Sequence, residues 1–135
     1  MPGYSGTPLG KKLGIKDGTR VLTLHAPKDY ARLVAPLPAG AAIITKVPKG
    51  GAEIVHLFVT SLAELEKQLP VARKAMTIGG AIWVSWYKKA AKIDTDVTED
   101  LIRARALKTD LVDVKVCAVS DVWSGLKLVV RKSLR

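Results

Sequence analysis

Apolar residues along this chain fall into short runs separated by turn residues, and the runs are of two kinds. Residues 20–24 (RVLTL), 41–47 (AAIITKV), 53–59 (EIVHLFV) and 81–86 (AIWVSW) are nearly continuous apolar stretches. Such runs, bounded by Gly, Pro and Asp, predict strands buried on both faces. The third is the most apolar and is expected at the centre of a sheet, and the second is expected near an edge. The last two runs alternate instead. Val112, Val114, Val116 and Ala118 alternate with Asp113, Lys115, Cys117 and Val119, and Leu126, Leu128 and Val130 alternate with Lys127, Val129 and Arg131. A period of two predicts a hairpin-like pair at the sheet edge, with its turn at residues 121–125.

Helical signals fill the gaps. Thr7-Pro8 reads as an N-cap followed by proline at the first helical position, and Gly14 is placed to end that short helix in a left-handed conformation. Residues 27–34 read as a short helix stopped before Pro36. Ser61-Leu62-Ala63-Glu64 is a capping box, and Pro70 is expected to break or kink the helix it opens. Asp96-Val97-Thr98-Glu99 is a second capping signal, with Val97, Leu101, Ala104 and Lys108 on one stripe and Arg103, Arg105 and Lys108 towards solvent. The run from Gly79 to Lys89 organises the rest: a glycine pair, an apolar strand, then two lysines. Residues 48–51 (PKGG) are too few for a helical crossover between parallel strands. The fold class predicted is therefore α/β, a three-layer Rossmann-like, mostly parallel sheet with a terminal antiparallel strand pair. Residues 1–135 are read as a single domain, with residues 1–18 an N-terminal arm, flexible over residues 3–6, that carries the short capped helix.

Composition narrows the chemistry. The chain has 135 residues, one cysteine and a formal net charge of +10. Cys117 alone excludes an intrachain disulfide and a cysteine-built zinc site, and His25 and His56 form no ligand cluster, so no metal site is expected. The absence of a long uncharged apolar stretch and of a signal core predicts a soluble, cytoplasmic protein with no membrane partner. The positive charge favours a polyanionic partner. It is scattered along the chain, which also fits a solvated basic surface.

Two resemblances follow from particular segments. The order from Glu53 to Arg131 resembles the second half of a class I methyltransferase domain, in which a buried strand, a helix, a glycine-led strand, a helix and a terminal hairpin succeed one another. Over nearly the whole chain, GYSGTPLGKKLGIKDGTRV at the start, FVTS at 58–61, WYKK at 86–89, TDVTED at 95–100 and VWSGLKLV at 122–129 resemble a family of small bacterial domains of unassigned function. Tyr87 stands where proline is expected in such relatives. That resemblance assigns no catalytic residues, and the cofactor stays unknown.

In parallel α/β sheets, ligands sit outside the carboxyl ends of the strands. Here those ends carry His25, Thr60 and Ser61, and Lys88 and Lys89. Two helix N-termini start nearby, and their N–H groups would favour an anion. A working methyltransferase is expected to show a glycine-rich turn after the first strand and an acidic residue after the second. This chain has His25-Ala26-Pro27 and Lys46-Val47-Pro48. His56, inside an apolar strand, is expected to be a hydrogen-bonded core residue, which leaves His25 as the acid–base candidate. The basic tail supplies Lys127, Arg131, Lys132 and Arg135, with Trp123 placed to stack on a base.

The function expected is a small non-catalytic binding or regulatory module holding an anionic or nucleotide-like ligand near Lys88, Lys89, Thr60, Ser61 and His25. The alternatives are a nucleic-acid-associated basic protein acting through Lys127, Arg131, Lys132, Arg135 and Trp123, and a divergent methyltransferase-like enzyme. Alternating edge strands with an apolar residue such as Val129 also suit a homodimer seam.

Overall fold

A computed structural model of the chain describes residues 7–135. The expectations for residues 1–6 lie outside that range. The chain runs α1 (Leu9–Leu13), β1 (Arg20–Leu24), α2 (Tyr30–Val34), β2 (Ala42–Ile44), β3 (Ala52–Phe58), α3 (Leu62–Ala75), β4 (Met76–Tyr87), α4 (Glu99–Leu107), β5 (Leu111–Ala118) and β6 (Trp123–Val130), with 3-10 turns at Lys89–Ala91 and Lys132–Leu134. Six strands form one sheet in the order β2-β1-β3-β4-β6-β5. The first four are parallel, and β6 lies antiparallel between β4 and β5. The mixed three-layer fold expected from the sequence is the one observed.

The apolar runs fill both faces. On one face Leu22, Val55, Leu57, Ile82, Val84, Leu126 and Leu128 pack under Leu65, Leu69 and Ala72 of α3 and Ile102 and Ala106 of α4. On the other, Val21, Ile54, Phe58 and Trp83 pack under Leu9 and Leu13 of α1 and Tyr30 and Val34 of α2. Burying a side chain of this size contributes roughly 1.5–3 kcal/mol, so the central strands carry most of the fold's stability. The Trp83 indole N–H donates to the Leu13 carbonyl at 3.0 Å, which pins α1 to the middle of the sheet.

Several local expectations are corrected. The side chain of Thr7 makes no cap; Pro8 precedes α1, and Gly14 closes it in the left-handed region at φ 85°. Pro70 sits inside a continuous α3. The glycine pair does not open β4, which starts at Met76 and holds Gly79 and Gly80 where its register against β3 shifts. The second strand is shorter than expected, with three residues, and lies parallel to β1 at the sheet's edge. Because it is so short, the link through residues 45–51 reaches β3 without a helix.

In α4 the buried residues are Ile102 and Ala106, while Leu101 is 40% exposed. Arg103 does not face solvent alone. It binds Glu99, Asp100 and Asp113 and so ties α4 to β5. Of the terminal pair only β5 is the edge: a bulge between Asp113 and Lys115 breaks its alternation, and β6 is interior. Residues 123–125 lie inside β6, not in a turn. Gly125 is tightly packed there: a Cβ would meet Val119 at 3.0 Å and Trp83 at 3.2 Å, and one of these side chains would have to give.

Candidate functional site

The strand order fixes where a ligand can sit. The chain leaves β1 towards β2 on one side and β3 towards β4 on the other, so the connections part company between the carboxyl ends of β1 and β3. At the end of β1, exposed His25 has φ 61°, a left-handed conformation that glycine adopts freely and other residues seldom do. The backbone thus makes a glycine-like turn without a glycine. At the end of β3 stand Thr60, exposed, and Ser61, half-buried.

The N-terminus of α3 follows at once, and its free donors are already taken. Ser61 Oγ accepts from the Glu64 N–H at 3.1 Å, Glu64 accepts from the Thr60 N–H at 2.7 Å, and Asp96 accepts from the Leu62 N–H at 2.8 Å. Asp96 therefore caps α3 and not α4, whose cap is Thr98 accepting from the Leu101 N–H. With carboxylates of Glu64 and Asp96 at one helix start and Glu99 and Asp100 at the other, neither N-terminus is the bare anion site expected from the sequence.

Beside this crevice, over the end of β4, lies an open cleft of about 670 Å³. Trp86, Tyr87 and Val97 give it an apolar wall. Lys88, Lys89, Asp94, Glu99 and Asp100 line it as well, with Thr95, Thr98 and Ser124, and Glu99 and Asp100 are held by Arg103. Thr95 links the two places, its hydroxyl donating to the Thr60 carbonyl at 2.8 Å. The structure thus brings Lys88 and Lys89 together in this cleft and leaves His25, Thr60 and Ser61 at the adjoining strand ends. Sequence reasoning did not bring Asp94, Glu99 and Asp100 to this lining, because residues 96–99 read only as a capping signal; their place in the same cleft as the lysines is set by how α4 packs.

The chain also holds a buried polar chain that the sequence only half disclosed. Tyr30 Oη lies 2.8 Å from His56 Nδ1, and His56 Nε2 lies 2.7 Å from Ser85 Oγ. Burial pushes the His56 imidazolium down to about 3 and raises the Tyr30 phenol. His56 and Ser85 are fully buried, so this trio is structural: no substrate reaches it.

The basic tail divides: Lys127 and Arg135 line one cleft beside the first residues of β1 and β3, and Arg131, Lys132 and Trp123 do not. Arg131 lies just past β6 and donates to the Leu107 carbonyl at 2.7 Å, at the end of α4. Lys132 and Arg135 are exposed in the terminal turn. Trp123 stacks on Tyr87, with centroids 4.5 Å apart, and meets Phe58 edge-on, so its ring is used within the fold. Among the described residues no group of His, Cys, Asp and Glu is arranged to hold a metal, and no helix is long and apolar enough to cross a membrane.

No family model matches the chain, and no curated protein does. Solved structures do match. One, described as a DhpI–SAH complex, superposes with a TM-score of 0.59 at 10% identity over 93% of this chain and 83% of the other. A second, LepI in complex with SAM, superposes with a TM-score of 0.53 at 16% identity over 93% of this chain and 47% of the other. At such identities the likeness establishes a methyltransferase-like Rossmann fold. It also corrects the expectation of a small non-catalytic module: the shared fold spans nearly the whole chain, and both of these structures were solved with SAH or SAM.

Proposed function

We propose that the chain is a methyltransferase-like enzyme that takes an S-adenosyl cofactor at the carboxyl edge of its sheet. The observation that carries this reading is the fold, a mostly parallel sheet with a crevice between β1 and β3 and antiparallel β6 beside β4, which superposes over 93% of the chain on the SAH-bound neighbour.

The residues present suit such a group in charge and size. An S-adenosyl cofactor joins an aromatic base and a ribose to a zwitterionic, cationic tail. The cleft offers Tyr87 and Trp86 for the base, hydroxyls of Thr95, Thr98 and Ser124 for the ribose, Lys88 and Lys89 for a carboxylate and Asp94 for a cation. Its volume of about 670 Å³ lies within the range of small-molecule pockets, roughly 300–1,000 Å³. The left-handed backbone at His25 supplies the tight turn that the missing glycine otherwise gives. Lys46 follows β2 where dinucleotide folds place an acid, so ribose contacts must come from the cleft. When bound, the cofactor supplies an electrophilic methyl group. The chain's own part is to orient it, with Lys88, Lys89 and Asp94 fixing the tail.

The test is calorimetric titration with SAH and a thermal melt with SAM. Binding is expected, with a melt shift equivalent to about 2.7 kcal/mol at a hundredfold excess over Kd, and Asp94→Asn together with Lys88→Gln should weaken it tenfold or more. No heat and no melt shift with either molecule would overturn the reading. We further place the chain, on the segments GYSGTPLGKKLGIKDGTRV and VWSGLKLV, among the small bacterial domains they resemble. A reducing, cytoplasmic setting fits the half-buried thiol of Cys117, which burial raises above its ordinary range.

A further inference from the structure

At the opposite end of the sheet, a second set of cations converges that the methyl-transfer reading does not use. Lys115 on β5 stands directly across from Lys127 on β6. Like charges directly opposite in an antiparallel pair are destabilising. The bulge between Asp113 and Lys115 creates this pairing. Without the extra residue, Lys115 would oppose Leu126 on the helix-covered face; with it, Asp113 keeps its arginine and Lys115 turns to join Lys127. Bulges of this kind re-aim side chains.

Lys16, Lys127 and Arg135 line one open cleft of about 450 Å³, along with Thr77, Gly79, Gly80 and Val129, beside the first residues of β1 and β3. Glu53 is the carboxylate in that lining, and it is engaged by the Arg20 guanidinium and backbone N–H. None of Lys16, Lys115, Lys127 and Arg135 makes an ion pair among the described residues. Burial, then Lys115 and Lys16, depress the Lys127 ammonium below its ordinary range. Exposed Gly79 has open space around its Cβ position, so its bare backbone serves no packing need of this chain.

We propose that this face, formed by Lys16, Lys115, Lys127 and Arg135, binds the phosphate backbone of a nucleic acid. The cations are spread over two strands, the turn before β1 and the terminal turn, not gathered round one point, and the cleft is open. A polymer carrying repeated phosphates meets that layout better than a single phosphate does. Chain-wide charge of +10 adds attraction at a distance. Trp83 is buried and Trp123 is packed on Tyr87, so among the described residues bases have no free tryptophan ring to stack on at this face, and binding should ignore sequence. The inference stands apart from the cofactor reading, since its measurement needs no cofactor.

The test is fluorescence anisotropy of a short labelled RNA strand across a salt series, with an equal-length DNA duplex as a second probe. For the Lys115→Gln, Lys127→Gln variant, Kd should rise about tenfold and the log–log salt slope should fall by roughly 1.4, the value for two lost phosphate contacts on a single strand. Its Tm should hold or rise, because a like-charge contact is removed. The charge-matched control Lys49→Gln, Lys67→Gln, on exposed positions elsewhere, should leave the slope nearly unchanged. Lys115→Gln alone, at an exposed position, covers the case in which Lys127→Gln impairs folding. Equal losses in test and control, unchanged RNA binding, or displacement of RNA by inorganic pyrophosphate at matched ionic strength would each overturn the proposal.

Discussion

His56 is the residue whose surroundings set most of the local chemistry. It lies on β3 between Tyr30 and Ser85, with its ring stacked on Phe58 at 4.4 Å. Both ring nitrogens have neutral hydroxyl partners and no carboxylate, so protonation has no compensation. Burial holds its folded pKa at about 3, against an unfolded value near 6.5. A depressed folded value means the neutral form stabilises the fold above pH 6.5, and that stability is lost as pH falls towards 3. The expected loss is about 1.4 kcal/mol for each pH unit below 6. Glu53, Asp110 and Asp113 are also held low, each by an arginine hydrogen bond, and their losses begin only near pH 5. Melts between pH 7 and about 5 should therefore fall steeply for the natural chain and stay nearly flat for His56→Gln, whatever that variant's absolute stability. A core histidine was legible at this position from the apolar run around it. Its partners were not, because Tyr30 and Ser85 lie 26 and 29 residues away in sequence.

Among the elements, β4 shows how glycine spacing was misread. The pair Gly79-Gly80 looks like a strand start because glycine punctuates sequence. In the fold, a Cβ on Gly80 would stand 2.5 Å from the Glu53 carbonyl, whereas one on Gly79 would meet nothing. The bulged register against β3 brings the two backbones together at Gly80 alone. Gly80→Ala should cost about 1–3 kcal/mol by overpacking, and Gly79→Ala should stay within about 0.5 kcal/mol, as read by urea denaturation. Equal effects would show that strand flexibility, not contact, explains the pair. The same kind of local shift in β5 turned an alternating sequence into one that exposes Val114 and Val116 at 52% and 45%. These valines lie on the edge strand, where a homodimer seam was expected, and Lys115 between them makes that edge a poor one for pairing.

For the whole molecule, charge works against cohesion. Cations outnumber acids by 22 to 12, and a net charge far from zero strains the compact state by self-repulsion. Its ion pairs, such as Arg73 with Asp110 and Arg20 with Glu53, are partly exposed and contribute little singly. Screening should thus relieve more repulsion than attraction. Raising NaCl from roughly 20 to 200 mM should raise Tm by a few degrees, followed by calorimetry. A fall in Tm would mean that the ion pairs outweigh the repulsion.

The sequence by itself determined the order of the strands and helices, the capping box at Ser61 and the three-layer class, because hydrophobic period and short-range capping chemistry are local. It marked Lys88, Lys89, His25, Thr60 and Ser61 as neighbours at one sheet edge, because strand ends follow from strand limits. Only the tertiary structure decided that Asp94, Glu99 and Asp100 share a cleft with those lysines, that Asp96 caps the neighbouring helix, and that Lys115 meets Lys127. Each depends on packing between elements far apart in the chain or on one bulged residue, and a shift of one residue in a strand reverses every side chain beyond it.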